Sequence, residues 1–459
     1  MRTKTVSQMY LNLILPSSST KVVAAYREKY GLLNELLVAN PTVLDLVHGD
    51  FCQWLSSSNK GRESLYTSEE ILRILVVMFV EQDSYRKVVI RIENSDFLRS
   101  FVGLGFQKPM MDFTFVGKAF AALSESTWQA VNKSLAQYAT ENAWISGEKL
   151  RTDTTAYEAN IHYPTDSSLL WDSFRVLTRV LRRTQKDFPE LGLNHRYHDK
   201  KAKKLAFYIA RNARSRNKGK QRAVKRAYHT LIERVQWIAE VSKDAQNRLD
   251  SLKRLDAREI ELELYTPIVE KIVEQTKRRI IKGESVPASE KIYSLFEEHT
   301  ELLIRGKAGK PVEFGHKVLI AQTGEKFISH YRVMPKRKED TELIEATLAA
   351  HSDLFGRMPG LLAADKGFYK SVQQLKELEK KIATVSICKK GRRTQAEEER
   401  EHGDAFREGQ SFRAGVEGTI SVLKRAFKLN RCLFKGYKNF ASSVGCAVFC
   451  HNIVLLTQR

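Results

Sequence analysis

Apolar residues recur at helical spacing through the first third of the chain. The pattern begins after segment 67–70, Thr-Ser-Glu-Glu, which suits a capped helix start. Its first apolar positions are Ile71, Leu72, Ile74, Leu75, Met78 and Phe79. Similar spacing runs over 88–101 and 114–139. These periods predict a mostly helical region over residues 1–145.

A short alternating pattern follows the helical region. Segment 148–155, Glu-Lys-Leu-Arg-Thr-Asp-Thr-Thr, is rich in threonine and predicts a strand with Asp153 near its end. Strand character returns at 314–321 and at 326–333. The turn residues 322–325 lie between these two segments, so we predict an antiparallel hairpin there.

The C-terminal part of the chain alternates between helical and strand patterns. The predicted order is helix 341–351, strand 360–364, helix 371–381, strand 382–387, a charged loop 389–409, and helices 412–427 and 440–456. Three strands followed by alternating helices and strands make a mixed α/β sheet covered by helices. This order is the one expected of a ribonuclease-H-like fold, whose first and fourth strands are neighbours. Asp153 and Asp365 would then meet although 212 positions separate them.

Most of the net charge lies between the first two predicted strands. The chain has 76 Lys and Arg against 54 Asp and Glu, a net charge of +22. Residues 175–226 contain 18 Lys and Arg against 3 Asp and Glu, an excess of 15. Heptad-like apolar spacing follows over 231–282, so we predict a basic helical insertion over 171–305 with a coiled-coil-like hairpin. The excess favours a polyanionic partner, because neutralised phosphates release counterions; a merely solvated surface and anionic lipid are the alternatives.

The cysteines and the apolar segments narrow the cellular setting. The five cysteines are scattered and form no C-x-x-C pair, which argues against a disulfide framework or a zinc site and fits a reducing compartment. The apolar segment 9–15 is short, is interrupted by Asn12 and stops at Pro16 without a convincing cleavage site, so it does not predict a signal peptide. No uninterrupted apolar stretch reaches the about 20 residues of a membrane span. We expect a cytoplasmic protein that enters no membrane.

A third acid can join the two aspartates from a helix. Glu417 lies in predicted helix 412–427, and on a helix it shares one face, within about 40°, with Arg413 and Lys424. Cleavage of a phosphodiester is served by two divalent metal ions, and these need several carboxylates in one place. Asp153, Asp365 and Glu417 are therefore candidate metal ligands, with Arg413 and Lys424 as candidate phosphate contacts. An ordinary amphipathic helix with solvated charges is the alternative for 412–427.

Four segments of the chain together form a recognisable set of motifs: 150–155 (LRTDTT), 160–170 (NIHYPTDSSLL), 364–369 (ADKGFY) and 412–418 (FRAGVEG). These segments resemble the DDE transposases of bacterial insertion sequences, and among them the ISNCY-type group. Related families also carry a Tyr, Arg, Glu and Lys with two, three and six residues between them. Arg413, Glu417 and Lys424 match the last three, whereas Gln410 stands at the Tyr position. The resemblance covers the chain from about Thr67 to the C-terminus.

The resemblance implies a fold, a reaction and a cofactor. It implies a ribonuclease-H-like catalytic core formed by 146–170 and 306–459, with two Mg²⁺ ions, or Mn²⁺ in their place, bound by the three acids. It implies nicking of DNA at terminal inverted repeats, followed by attack of the freed 3′-hydroxyl on target DNA within a homodimer. The helical region 1–145 would bind DNA, mediate dimerisation or serve as a scaffold.

Basic residues outside the acidic motifs are candidate DNA contacts. Lys366 directly follows Asp365 and either meets a phosphate or is simply a turn residue. The densest part of the insertion supplies Arg211, Arg214, Arg216, Lys218 and Lys220. Two rival functions remain open. One is a metal-dependent nuclease that cuts without joining, and the other is a non-catalytic DNA-binding protein derived from a transposase, against which the three intact acids argue.

Overall fold

The computed structural model describes residues 3–5, 20–54, 64–105, 108–251, 257–307, 309–336 and 338–459. The apolar segment 9–15 lies outside these ranges. The chain forms two compact units. The first unit comprises residues 1–158 and 316–459, and the second unit comprises residues 159–315.

Helices make up most of the described chain. They are α1 (Lys21–Ala39), α2 (Pro41–Trp54), α3 (Ser68–Val80), α4 (Tyr85–Glu93), α5 (Asp96–Val102), α6 (Phe113–Ala122), α7 (Glu125–Glu141), α8 (Asp166–Asp187), α9 (Asp199–Asn212), α10 (Lys218–Asp250), α11 (Ala257–Thr276), α12 (Ile344–Phe355), α13 (Val372–Glu379), α14 (Gln395–His402), α15 (Asp404–Ala426) and α16 (Tyr437–Leu456). The strands are β1 (Lys149–Ala159), β2 (Glu301–Lys307), β3 (Lys310–Thr323), β4 (Ile328–Val333), β5 (Leu361–Ala364), β6 (Thr384–Ser386) and β7 (Arg431–Cys432).

The N-terminal region is helical, as its apolar spacing predicts. The predicted cap of α3 is present: the Thr67 hydroxyl accepts the backbone N–H of Glu70, and the Glu70 carboxylate accepts the N–H of Thr67. Ser84, Ser95 and Ser124 cap α4, α5 and α7, each through a side-chain hydroxyl that accepts one backbone N–H of the first turn. These helices belong to the first compact unit together with residues 316–459.

The sheet is mixed, so the fold is α/β. Its strand order is β2-β3-β1-β5-β6, with β4 also paired to β3 and β7 to β1. β5 runs parallel to both β1 and β6, whereas β2 and β4 run antiparallel to β3. The predicted hairpin 314–333 is confirmed as β3 and β4. β2 was not predicted, and it pairs with the beginning of β3.

In the first unit, helices cover both faces of the sheet. Leu150, Leu362 and Ala364 point into an apolar core shared with α12 and α13. α15 packs against β5 and β6, on the other face, where Gly409 lies against Ser386 and Leu361. The two faces of each strand are therefore distinct: one closes a core and the other meets a single long helix.

α16 is a core helix of the first unit. It packs against α3, α7 and β4. Among the described helices it alone has the length and apolar composition of a membrane span, and 83% of that stretch is buried inside the structure. Cys446 and Cys450 are both buried in it, as expected of core thiols in an apolar run.

The second unit is a helical bundle with a short hairpin. α8, α9, α10 and α11 pack on one another around an apolar cluster that includes Phe174, Leu231 and Ile272. α10 and α11 form the predicted helical hairpin of residues 231–282. The unit spans 159–315, whereas the predicted insertion spans 171–305.

The prediction of a charged loop over 389–409 is wrong, because most of this segment is helical. α14 occupies Gln395–His402, and α15 begins at Asp404 rather than at 412. Two local interactions explain α14: Thr394 and Glu397 form a capping box, and Lys389 pairs with Glu397. The long α15 carries Glu417 across the sheet.

Candidate active site

Asp153 and Asp365 lie side by side where β5 ends, at an end of the sheet that we call the acidic edge. The parallel pairing of β1 with β5 runs from Lys149 with Leu361 to Thr152 with Ala364. Asp153 and Asp365 each follow the last of these pairs directly. Since successive side chains on a strand alternate between faces, both aspartates point to the same face.

The end of β5, and not the end of β1, places Asp153 at an edge. The prediction that Asp153 stands near a strand end is wrong for its own strand, because β1 continues to Ala159. β5 stops at Ala364, and the chain then turns, with the carbonyl of Asp365 accepting the N–H of Phe368. Beyond that turn β5 no longer lies beside β1, so the face of the sheet that carries Asp153 is open there.

The same face is crossed by α15. Arg151 lies two positions before Asp153 and therefore on its face of β1. Its Nη1 donates to the carbonyl oxygen of Phe412 at 2.7 Å, and its guanidinium carbon lies 4.7 Å from the Phe412 ring centroid. Burial lowers the pKa of Arg151. This buried arginine ties β1 to the middle of α15.

Two glycines allow α15 to approach the sheet this closely. A Cβ on Gly415 would lie 2.0 Å from Arg151 Nη1, and a Cβ on Gly409 would lie 2.4 Å from Ser386 Cβ. Both distances are too short for real atoms. A larger residue at 409 would therefore push α15 away from β6, and one at 415 would displace the Arg151 guanidinium that joins β1 to α15.

The contacts of α15 show which way Glu417 points. One flank of the helix meets the starting end of β1: Glu408 pairs with Lys149 at 3.0 Å, and Thr419 accepts from Gln322. Glu417 follows Glu408 by nine residues, so it projects about 180° away, from the opposite flank. That flank faces the ends of β5 and β6, where Gln410 donates to the carbonyl of Ser386. Glu417 is therefore on the aspartate side of the helix.

Arg413 accompanies Glu417 on that flank. Arg413 Nη2 lies 3.3 Å from Glu417 Oε1, and the Glu417 side chain is 64% exposed. The Arg413 Nε is buried and finds no hydrogen-bond partner among the described residues. Lys424 lies on the same stripe and is half-buried. The predicted shared face of Arg413, Glu417 and Lys424 is thus present in a continuous helix.

The structure brings the two aspartates together but does not gather Glu417 into the same closed group. Within the described ranges, no three side chains among His, Cys, Asp and Glu are placed so that they would hold one metal ion. Glu417 is instead engaged with Arg413. The acids thus form a pair at the sheet edge and a third member on the adjacent helix flank.

Asp340 is a fourth acid at this edge, and it was not predicted. The Thr154 hydroxyl donates to its Oδ1 at 3.1 Å, and Lys317 Nζ lies 3.0 Å from the same oxygen. A Cβ on Gly367 would lie 3.2 Å from Asp340 Oδ2 and 3.7 Å from Asp365 Oδ2. These two carboxylate oxygens are therefore at most 6.9 Å apart, the sum of the two distances.

The edge is suited to hard cations. Its donors are carboxylate oxygens, which Mg²⁺ and Mn²⁺ prefer. The N–H of Thr154 donates to Asp153 Oδ1 at 2.7 Å. Burial raises the pKa of the Cys388 thiol, and the carboxylates of Glu401 and Asp365 raise it further. Arg393 and Arg400 lower this pKa, so cations as well as carboxylates lie near this end of the sheet.

The predicted DNA contacts are exposed except on α15, where Arg413 and Lys424 are partly buried. Lys366 lies at the turn directly after Asp365, with its side chain in solvent. In the second unit, the exposed residues are Arg211, Arg214, Arg216, Lys218 and Lys220, around the connection from α9 to α10.

Comparisons of the chain with family models, with curated proteins and with solved structures find no match.

Proposed function

We propose that this protein is a DDE transposase, which cuts DNA at the terminal inverted repeats of a mobile element and joins the freed 3′-hydroxyl ends to target DNA. The observation that carries the proposal is the pairing of β1 with β5, which sets Asp153 beside Asp365. α15 crosses the same face and carries Glu417 on its aspartate side. The basic second unit supplies a surface for the DNA backbone.

The strand order supports a ribonuclease-H-like core. Apart from β2 and the two-residue β7, the strands are ordered β4-β3-β1-β5-β6. The first core strand thus lies between the second and the fourth, which is the arrangement expected from the order of elements along the chain. A long helix, α15, then follows the last core strand and brings in the third acid.

Asp153, Asp365 and Glu417 would hold two Mg²⁺ ions, or Mn²⁺ in their place. When bound, the ions supply an activated water or 3′-hydroxyl and stabilise charge on the leaving oxygen. Glu417 has to leave Arg413 to join the aspartates, and its exposure permits that movement. Arg413 is then released to donate to a DNA phosphate, with Lys424 and Lys366 as further phosphate contacts.

The first test substitutes the helix acid. Glu417→Gln keeps the size of the side chain and removes its charge, so we expect DNA cleavage to be abolished while binding of the repeat ends persists. The matched control is Glu408→Gln on the opposite flank of α15, which should cleave at the wild-type rate. Cleavage by Glu417→Gln at the wild-type rate would contradict the assignment.

A second experiment separates joining from cutting. Precut repeat ends are offered with Mg²⁺ and target DNA, and a transposase yields a joined product whereas a nuclease yields none. A protein that neither binds Mg²⁺ nor cleaves would instead be a non-catalytic DNA-binding protein. The mass of the complex with repeat-end DNA tests the proposed homodimer, since a single chain per complex would exclude it.

A further inference from the structure

We propose that α9 is a binding platform for unpaired DNA bases, on which Phe207 and Tyr208 stack while the surrounding cations neutralise the backbone. The proposal goes beyond cleavage at the acidic edge and does not depend on it. It also differs from the backbone contacts expected of residues 211–220, because it concerns exposed aromatic rings. Single-stranded DNA is the partner that it names.

The two rings lie on the wrong side of α9 for a packing role. The inner stripe of the helix is Ala202, Ala206 and Ile209, all buried in the core of the second unit. Phe207 is 51% exposed and Tyr208 is 40% exposed. Relative to Ile209, Phe207 projects about 160° away and Tyr208 about 100° away. An amphipathic helix would normally turn such rings inward, so their exposure requires another explanation.

The rings line a shallow groove of about 610 Å³, which is within the size range of small-ligand sites. Its lining residues are Lys200, Lys203, Lys204, Phe207, Tyr208, Arg211 and Asn212. Lys203 Nζ lies 5.7 Å from the Phe207 ring centroid. A base that stacks on either ring would thus have a cation within reach of its own phosphate.

The cations around the groove are available for an anion. Lys200, Lys203, Lys204 and Arg211 are all exposed. Asp199, the acid at the start of α9, pairs with Arg182. Within the described part of the chain, none of the four cations pairs with a carboxylate. The groove therefore combines positive charge with half-exposed aromatic rings, which is the combination that binds single strands.

Unpaired bases fit this groove better than the other anionic partners do. In a duplex the faces of the bases are covered by their neighbours in the stack, so the rings would find no partner there. An interfacial membrane helix inserts its apolar face into lipid. The apolar face of α9 is already buried against the other helices of the second unit, so only the charged face with its two rings remains for a ligand.

The test compares single-stranded with duplex DNA. A fluorescent oligo(dT) and a duplex of equal length are titrated with the full chain and with the Phe207→Ala/Tyr208→Ala variant. Each lost stack lowers affinity about 5- to 150-fold, as is typical of alanine substitution at stacking residues. The double variant loses two stacks, so we expect at least that loss for oligo(dT). For the duplex we expect less than about a 2-fold change, because the cations that bind the backbone remain.

Two controls keep the test specific. Phe296 is 40% exposed in the same unit and lies beside Glu297 and Glu298, so Phe296→Ala should leave oligo(dT) affinity unchanged. Replacing Phe207 and Tyr208 with Trp retains the stacking surface and should preserve binding. Photo-crosslinking of an iododeoxyuridine oligonucleotide should label the peptide that contains Phe207 and Tyr208.

Three results would overturn the proposal. They are an unchanged oligo(dT) affinity in the double alanine variant, an equal loss for oligo(dT) and duplex, and binding to anionic phosphatidylserine vesicles that is lost in the same variant. Circular dichroism verifies that the variants are folded. Because Glu417→Gln should bind oligo(dT) like the wild type, failure of the catalytic proposal and failure of this one remain separate outcomes.

Discussion

The two units of the chain hold their charge in different ways. In the first unit, charged groups near the candidate active site are engaged with one another, as in the pairs Asp340 with Lys317 and Glu417 with Arg413. In the second unit, the cations of residues 200–220 stand in solvent. The comparison indicates that tertiary packing brings the acidic residues together from distant parts of the chain. The residues of the basic surface, by contrast, are already close to one another in the sequence.

The units also pack differently. In the first unit, Gly409, Gly415 and Gly445 lie where a Cβ would come within 2.4 Å of a neighbouring side chain. Among the described glycines of the second unit for which this space is known, the nearest approach is 3.2 Å, at Gly219. In the first unit some elements thus meet their neighbours through glycine, whereas the second unit is packed through the side chains of its apolar cluster. Each difference can be tested by substitution.

The largest expected effect concerns DNA affinity. The variant is a quintuple change to Gln at Arg211, Arg214, Arg216, Lys218 and Lys220. We expect duplex affinity at ~100 mM salt to fall on the order of 10³-fold and the log–log salt slope to become shallower by up to about 4.5. A smaller control change to Gln at three exposed lysines of the first unit, 376, 380 and 381, should alter neither quantity. Equal losses in both variants would remove the distinction between the units.

The second prediction concerns packing in the first unit. A Cβ on Gly445 would lie 2.4 Å from Trp128 Cβ and 2.5 Å from the Tyr331 hydroxyl, so Gly445→Ala should lower the free energy of unfolding by about 1–3 kcal/mol. Gly418 in α15 has open space around it. Gly418→Ala should therefore be neutral or stabilise by up to about 1 kcal/mol. Urea denaturation measures both, and a neutral Gly445→Ala would show that the helix interface is looser than described.

The third prediction concerns the stability of the first unit at acidic pH. Burial lowers the pKa of His330 and of His351, each to about 4, and both belong to the first unit. Between pH 6.5 and pH 4 the unfolded chain binds protons that the folded chain does not, so the free energy of unfolding falls as the pH falls through this window. Hydrogen exchange during urea unfolding at pH 7 and at pH 4.5 should show the first unit losing stability, and His330→Gln/His351→Gln should reduce that loss. If the double variant lost as much stability between pH 7 and pH 4.5 as the wild type does, the two histidines would not be the cause of that loss.

The smallest predicted effect concerns Asp340. Thr154→Val removes the hydroxyl that donates to the Asp340 carboxylate, and a single such hydrogen bond contributes about 0.5–1.5 kcal/mol. We expect cleavage to slow about 2- to 13-fold, while Thr154→Ser restores it. An unchanged rate in Thr154→Val would show that Asp340 takes no part in the site.

The α/β class, most elements of the first unit and the meeting of Asp153 with Asp365 were predictable from the sequence. Apolar and β-branched runs mark β1, β5 and β6, and two strands that are neighbours in the sheet and parallel bring their ends to one edge. The capping box at Thr67 was also predictable from the sequence, because it depends on residues three positions apart. Local patterns of this kind act over a few residues and therefore appear directly in the sequence.

Features that depend on distant contacts were missed. Asp340 lies in a polar loop with no motif, and only its contacts with Thr154 and Lys317 place it at the edge. The sequence of α14 predicts a loop because its charged residues lack apolar spacing, although ion pairs and its cap stabilise the helix. Whether Glu417 faces the aspartates could not be judged from its helix alone, because the answer depends on which flank of α15 meets Lys149 and Gln322.

The separation of the two neighbouring strands along the chain has a consequence for synthesis. A ribosome adds roughly 5–20 residues per second, so the 212 positions from Asp153 to Asp365 take roughly 10–40 s. During that interval the second unit, which is one continuous stretch, is complete, while β1 still waits for β5. On the proposed function, a nascent or truncated chain that ends before β5 holds DNA without the means to cut it.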